Sequence, residues 1–427
     1  MEPCGLRTQS LYNPLGVDVK KPLLSWRLQS SKKNRGVKQV AYHIRSAHSE
    51  KDLNTNSLWD SGKIVSDSTS IVWGGPTFRS RERICWQVRI WDSDKTTSGW
   101  SDIASFEMGL LNAHDWDPAV WIENRNYATG STSLPYFVKR FKISHAVSSV
   151  RLWIAGLGQF MATMNGQPVT NGILNPGYFD WNKTIEYSTY NVTTLLKDDE
   201  NILGVALGKG IYRAEQPLDG RYYKFLTPPH SMKLIAQLQV EYTNGNSQFI
   251  VSDSSWLTTT TGPLLESSWF GGEDYDARKE LLGWDTSIYN HAAWNMADVS
   301  SIPNSNATYR ARESPSIELI EEIRAISVTD QGNGTYVFDL GVNHAGWPKF
   351  SMRGTRGTTV TMRPAELLKD DGTVEQATGG IPIFDRYTFS GNDTETYIPT
   401  FRYVYCFSFL TILRMTSVDT TVCDIFK

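Results

Sequence analysis

Apolar and polar residues alternate with a period of two through most patterned stretches of this chain, and no internal stretch keeps a sustained 3.6-residue apolar period. Side chains two apart share one face of a strand, so this alternation describes half-buried β-structure and excludes a helical bundle. Leu24-Ser25-Trp26-Arg27-Leu28, Gln39 to Ile44 and Ile84 to Trp91 carry the pattern early in the chain. Phe137 to Ile143, Val150 to Gly158 and Phe160 to Met164 carry it in the middle, and Thr335 to Leu340 and Gly357 to Arg363 towards the end. The turns between them have strand-joining chemistry: Asn165-Gly166 and Asn244-Gly245 suit two-residue hairpins, because both residue types tolerate positive φ.

The predicted fold class is all-β, a multi-domain array of β-sandwiches. A chain of 427 residues exceeds what one core usually organises, which points to two to four domains. Residues 14–110 read as a fibronectin-III-like sandwich and residues 127–282 as a jelly-roll-like sandwich. A long linker, 283–315, is rich in Asp, Asn, Ser and Pro, and a third β-sandwich module follows over 316–416.

Composition narrows function mainly by exclusion. Forty-two Lys and Arg against 45 Asp and Glu leave a net charge of −3, which cannot hold a nucleic-acid backbone by bulk electrostatics. No run approaches the 18–20 apolar residues of a membrane span. Met1 to Leu11 lacks an apolar signal core, so the expected location is cytoplasmic, with a trimmed secreted chain as the rival. Five Asn-x-Ser/Thr sequons, at Asn182, Asn191, Asn306, Asn333 and Asn392, would matter only in the secreted case. Cys4, Cys85, Cys406 and Cys423 form neither a disulfide framework nor a metal knuckle, and the seven histidines lack ligand spacing. Gly208-Lys209-Gly210 is glycine-rich but lacks the phosphate-loop spacing. Neither a metal nor a cofactor is expected.

One ordered set of signposts is more specific. Pro14-Leu15-Gly16-Val17-Asp18, Leu58-Trp59-Asp60-Ser61-Gly62, Leu174-Asn175-Pro176-Gly177-Tyr178 and Gly208 to Arg213 come first. Gly271-Gly272-Glu273-Asp274-Tyr275-Asp276, Phe338 to Trp347, Asp385-Arg386-Tyr387 and Phe401-Arg402-Tyr403 follow. Together they resemble the front part of glycoside hydrolase family 78, the α-L-rhamnosidases, over residues 14–410. The resemblance implies β-sandwich domains. It also implies that catalysis by active members resides in a following (α/α)6 barrel, which supplies the two carboxylic acids of an inverting hydrolysis. This sequence stops before such a barrel, and hydrolysis by it alone is not expected.

Barrel-less chains of this kind are similar to fungal hetero-Diels–Alderases that join a tropolone quinone methide to a humulene-type terpene. The leading expectation is therefore a cofactor-independent pericyclase acting on a small apolar or aromatic substrate. A non-catalytic rhamnose-binding protein and an α-L-rhamnosidase fragment are the alternatives. Cycloaddition needs no nucleophile, only a near-attack pose that supplies roughly 7–11 kcal/mol and hydrogen bonds to a polarised carbonyl worth about 3 kcal/mol each. Candidate donors are His344, Arg363 and Arg386. Candidate binding residues are Glu266, Trp269, Tyr275, Trp347, Tyr387 and Phe389, with Trp181 as a further aromatic platform. Two points stay open: His344 serves either a ligand or a glycine-bounded turn, and Asp274 with Arg278 forms either a pocket wall or an ion pair.

Overall fold

The computed structural model describes residues 1–30, 36–128, 133–217, 219–304, 306–377, 382–402, 405–413 and 423–426. Tyr403 and Val404, and the side chains of Cys406 and Cys423, lie outside the described residues. Among the described residues the chain is all-β. Its helical structure is one four-residue α-turn at Arg125–Ala128 and short 3₁₀ turns. None of its helices is long and apolar enough to cross a membrane.

The chain divides into two compact units, the first comprising Met1–Pro118, Thr184–Asn191 and Thr308–Pro315. This unit holds a three-stranded sheet of Glu2–Thr8, Leu23–Gln29 and Ser70–Val72. A five-stranded sheet is built on Gln39–Ala47 and Arg83–Asp92. Alternation puts Ile84, Trp86, Val88 and Ile90 inside with Leu24, Trp26, Ile44, Trp73 and Phe106. Each such side chain, fully buried, contributes ~1.5–3 kcal/mol. The buried indoles keep their N–H groups paired, Trp26 donating to Gln39 Oε1 at 3.0 Å and Trp86 to Thr8 Oγ1 at 3.3 Å. Thr184–Asn191 and Thr308–Ala311, the latter within the stretch read as a linker, form a parallel pair in this unit.

The second unit comprises Ala119–Lys183, Val192–Ala307 and Ser316–Lys427. One sheet runs in the order Gln167–Pro168, Gln159–Met164, Glu200–Gly208, Tyr136–Lys142, Leu257–Thr259, Asn295–Met296. Another pairs Val147–Leu157 with Lys233–Tyr242 along almost their whole length. Glu200–Gly208 departs from alternation and is buried at eight consecutive positions. Gly204 and Gly208 explain how, since on their strand face only the Ala206 methyl stands between them. A β-carbon at Gly204 would stand 2.9 Å from the Trp284 ring, and one at Gly208 would overlap Phe401. Backbone approached this closely from the next layer admits only glycine.

The third sheet is centred on the 18-residue strand Thr335–Met352, flanked by Tyr405–Leu413, Thr359–Ala365 and Asp385–Thr388. Gly272–Asp276 joins it in parallel with Asp385–Thr388, pairing Asp274 with Arg386. Leu264–Ser268 pairs with Gly272–Asp276 in turn. His344 lies within the long strand and not in a turn. Gly341 before it serves a bulge, visible as a register shift between Asp339 and His344, with φ at +81°, whereas Gly346 after it pairs in regular register.

A buried polar clamp ties this sheet together. Arg402 Nη1 donates to Asp385 Oδ2 at 2.5 Å, and both side chains have no exposed surface. Asp385 Oδ1 accepts the Glu273 backbone N–H at 2.9 Å. The Glu273 carboxyl accepts from the Tyr397 hydroxyl at 3.1 Å and from the N–H groups of Thr400 and Phe401 at 3.1 and 2.9 Å. Burial, with the Asp385 charge nearby, pushes the Glu273 carboxyl from 4.5 up to about 8.

Substitutions test this clamp. Asp385→Asn leaves the buried Arg402 charge without its counter-ion and should cost about 3–5 kcal/mol in urea unfolding. As a control, Lys142→Met removes an exposed pair with Asp199 and should leave the midpoint nearly unchanged. Folded Glu273 holds a proton that the unfolded chain releases above about pH 4.5. Its share of stability is therefore complete below that pH and is lost as pH rises to about 8. Thermal melts of Glu273→Gln should show a flatter decline across this window than the parent, and an unchanged slope would exclude Glu273 as its source.

Candidate functional site

The buried strand Glu200–Gly208 ends by delivering a charged side chain, Lys209, into the second unit's interior. Its backbone N–H donates to Ser267 Oγ at 3.0 Å, which fixes the chain against strand Leu264–Ser268. A buried ammonium demands compensation. Lys209 Nζ donates to both Glu266 oxygens at 2.6 and 2.7 Å and lies 2.9 Å from Glu215 Oε2. Burial alone would depress this ammonium, but Glu266, Tyr127 and Glu215 outweigh it and hold the proton firmly. Arg213 closes the set, donating from Nε to Glu215 Oε1 at 2.8 Å and from Nη1 to the His230 carbonyl at 3.1 Å. Burial acts to raise the Glu215 carboxyl, yet the Lys209 and Arg213 charges and hydrogen bonds leave it below the usual range.

These four groups line a cavity of ≈ 400 Å³ whose other walls include Tyr223, Phe225, Trp269 and Phe270. The result is an aromatic pocket with two cations and two carboxylates, all paired. Two of the residues singled out in the sequence, Glu266 and Trp269, meet here. Lys209, Arg213 and Glu215 were missed. Their signal was a lysine set between glycines immediately after an apolar strand, a place where a charge must find a buried partner.

The other candidates stand elsewhere. Trp347 packs in one apolar cluster with Leu174 and Trp269 and donates its indole N–H to the Arg402 carbonyl at 3.2 Å. It lines a separate cavity of ≈ 230 Å³ with Phe160, Ile173, Ile398 and Phe401. Tyr387 and Phe389 are core residues, Tyr387 stacking on Tyr275 at 5.7 Å and meeting Phe389 edge-on at 5.3 Å. The hydroxyls of Tyr387 and Tyr275 donate to Glu395 and Glu280 at 2.8 and 3.1 Å.

Arg386 donates to Asp274 at 3.0 and 2.6 Å and to Asp219 at 2.6 Å. Asp274 also takes Arg221 at 2.7 Å, whereas Arg278 pairs with Asp276 at 2.8 Å. The Asp274–Arg278 pair envisaged from sequence is thus replaced by two others. Alternation puts Asp274 and Asp276 on one face of the same strand, and each takes the guanidinium nearest to it. Arg363, Arg386 and Arg221 gather around the Phe384 ring at 5.8, 5.4 and 4.6 Å. His344 is 7% exposed, its Nε2 buried without a hydrogen-bond partner, and its strand pairs it with Phe407. The structure brings Arg363 and Arg386 to one ring and keeps the ion-paired pocket around Lys209 as a different site.

Comparison with known proteins gives three adjoining matches in chain order. The model of the Rha78A-like N-terminal immunoglobulin domain covers residues 3–112, that of the alpha-L-rhamnosidase N-terminal domain 145–321, and that of the bacterial alpha-L-rhamnosidase concanavalin-like domain 329–425. An alpha-L-rhamnosidase of Formosa agariphila is 32% identical over 383 residues, which is 86% of this chain and 40% of the relative. One from an Alteromonas species is 30% identical over 380 residues, with the same coverage of 86% and 40%. The solved alpha-L-rhamnosidase from Dictyoglumus thermophilum matches with a TM-score of 0.89 at 33% identity, over 100% of this chain and 48% of that one. The chain therefore spans about half, or somewhat less, of the length of these relatives. By domain content, domain order and similarity, it belongs to the α-L-rhamnosidase family, glycoside hydrolase family 78, as a run of that family's N-terminal β domains.

Proposed function

We propose that this chain is the β-domain part of an α-L-rhamnosidase and serves the hydrolysis of α-L-rhamnosides. The carrying observation is the end-to-end match to the Dictyoglumus thermophilum enzyme at 33% identity, with three domain models in consecutive order. Of the readings drawn from sequence, these relatives support the rhamnosidase one. The pericyclase reading, with its tropolone and terpenoid substrates, has no support among them and gives way to it.

The electrostatics of the Lys209 pocket agree with a part in support and recognition and not with the acid–base step. A glycosidase acid needs a carboxyl that keeps its proton near working pH, which burial without a counter-charge provides. Glu215 is held in the opposite direction by Lys209 and Arg213, and both Glu266 oxygens are committed to Lys209. The hydrolytic pair is accordingly assigned to residues other than these.

The deciding measurement is release of L-rhamnose from 4-nitrophenyl α-L-rhamnopyranoside by the natural gene product. Hydrolysis is the expected result. A natural product that frees no rhamnose from this or from plant rhamnosides, yet accelerates a cycloaddition, would overturn the proposal.

A further inference from the structure

The five-stranded sheet of the first unit turns one face to its core and the other outward. Ile44, Val88 and Ile90 point inward, so His43 and Arg45 on one strand and Gln87, Arg89 and Trp91 on its partner point outward. There the cations and indoles form a ladder. The Arg45 guanidinium lies 4.0 Å from the Trp100 ring centre, and that of Arg89 lies 4.7 Å from the same ring and 5.3 Å from Trp91. Lys63 Nζ stands 4.4 Å over Trp91.

This ladder lacks counter-charge. Among the described residues, no carboxylate pairs with Arg45, Arg89 or Lys63. Arg45 donates from Nε and Nη2 to Gln87 Oε1 at 3.2 and 2.9 Å, and Arg89 from Nε and Nη2 to His43 Nδ1 at 3.2 and 3.0 Å. Both acceptors are uncharged, and Nη1 of each guanidinium is left over. Asp60 stands opposite Arg45 in the register, yet its Oδ1 meets His43 Nε2 at 2.5 Å and the Gly62 N–H at 2.8 Å. Burial, with the like charge of Arg89 beside it, lowers the Arg45 guanidinium from its ordinary value. Three cations thus share a face with one carboxylate that is already engaged.

Charge and shape together select the partner. A guanidinium edge matches a carboxylate in geometry as well as sign. The two guanidiniums share one indole, a span that carboxylates on alternate residues of an extended segment, about 7 Å apart, would bridge. Val65, 84% exposed, pairs with Ala41, which pairs with Trp91 on its other side, so apolar surface adjoins the cations on the same face. A free inorganic anion would leave that surface uncovered. Duplex binding draws its affinity from many phosphates neutralised at once, which three cations on a chain of net charge −3 do not supply.

We propose that this face docks an acidic, extended segment of another protein, with alternate carboxylates on Arg45 and Arg89 and an apolar side chain against Trp91 and Val65. The inference stands apart from the rhamnosidase reading. The probe is a short dye-labelled peptide of alternating glutamate and valine, titrated with the full 427-residue chain and followed by fluorescence anisotropy. A lysine–valine peptide and duplex DNA serve as comparisons. Saturable binding of the glutamate peptide is expected, weakening as added salt screens the charges. The double variant Arg45→Gln/Arg89→Gln should weaken it about tenfold or more, and Lys63→Gln, at an exposed side chain, about threefold. Should the double variant fail to fold, Lys63→Gln decides alone. No saturable binding of the glutamate peptide, equal affinity for the lysine peptide, tighter binding of DNA, or unchanged affinity in the folded variants overturns the proposal.

Discussion

The Arg402–Asp385 pair is the constraint around which the second unit is arranged. Two opposite charges with no exposed surface tolerate little misalignment, because desolvation penalises any geometry in which they part. Asp385 belongs to a strand of the third sheet and uses its other oxygen to hold the Glu273 backbone, so the strand Gly272–Asp276 is drawn into parallel pairing beside it. Glu273 in turn caps the N–H groups of Thr400 and Phe401, and the Phe401 ring fills the space above Gly208. Hydrogen bonds, completed by the packing of Phe401 on Gly208, thereby lead from a buried guanidinium to the strand that precedes Lys209. The candidate pocket inherits its position from that linkage.

Much of this was legible before any coordinates. Alternation in Arg83–Asp92 and Val147–Leu157 specified strands because a period of two has one structural meaning. The family's signposts could be read because they are short, local and ordered. What escaped was long-range pairing. Lys209 and Glu266 are 57 residues apart, and nothing in either neighbourhood names the other. The sequence marks Tyr387 and Phe389 as ligand-facing aromatics, yet both are core residues, because alternation is blind to which face of a sheet is later covered. His344 was assigned to a turn because glycines bracket it. A bulge inside a long strand needs the same positive φ as a turn, so the residue types alone do not separate the two.

The Lys209 pocket and the Phe384 cluster show two ways of managing charge in a β protein. Around Phe384, three guanidiniums share a ring, and two of them, Arg221 and Arg386, share the carboxylates Asp219 and Asp274. Around Lys209, the paired groups line a cavity with aromatic walls. Paired charge in low dielectric orients dipoles strongly while presenting little net field.

The close approach at Gly204 and Gly208 carries a consequence for inheritance. The strand is covered on both sides, so the jelly-roll-like sheet and the third sheet have no separable boundary there. Recombination that replaced one of them with a distant cousin's version would import rings cut for a different recess. These two sheets should therefore travel through evolution as a single heritable block, exchanged together or not at all.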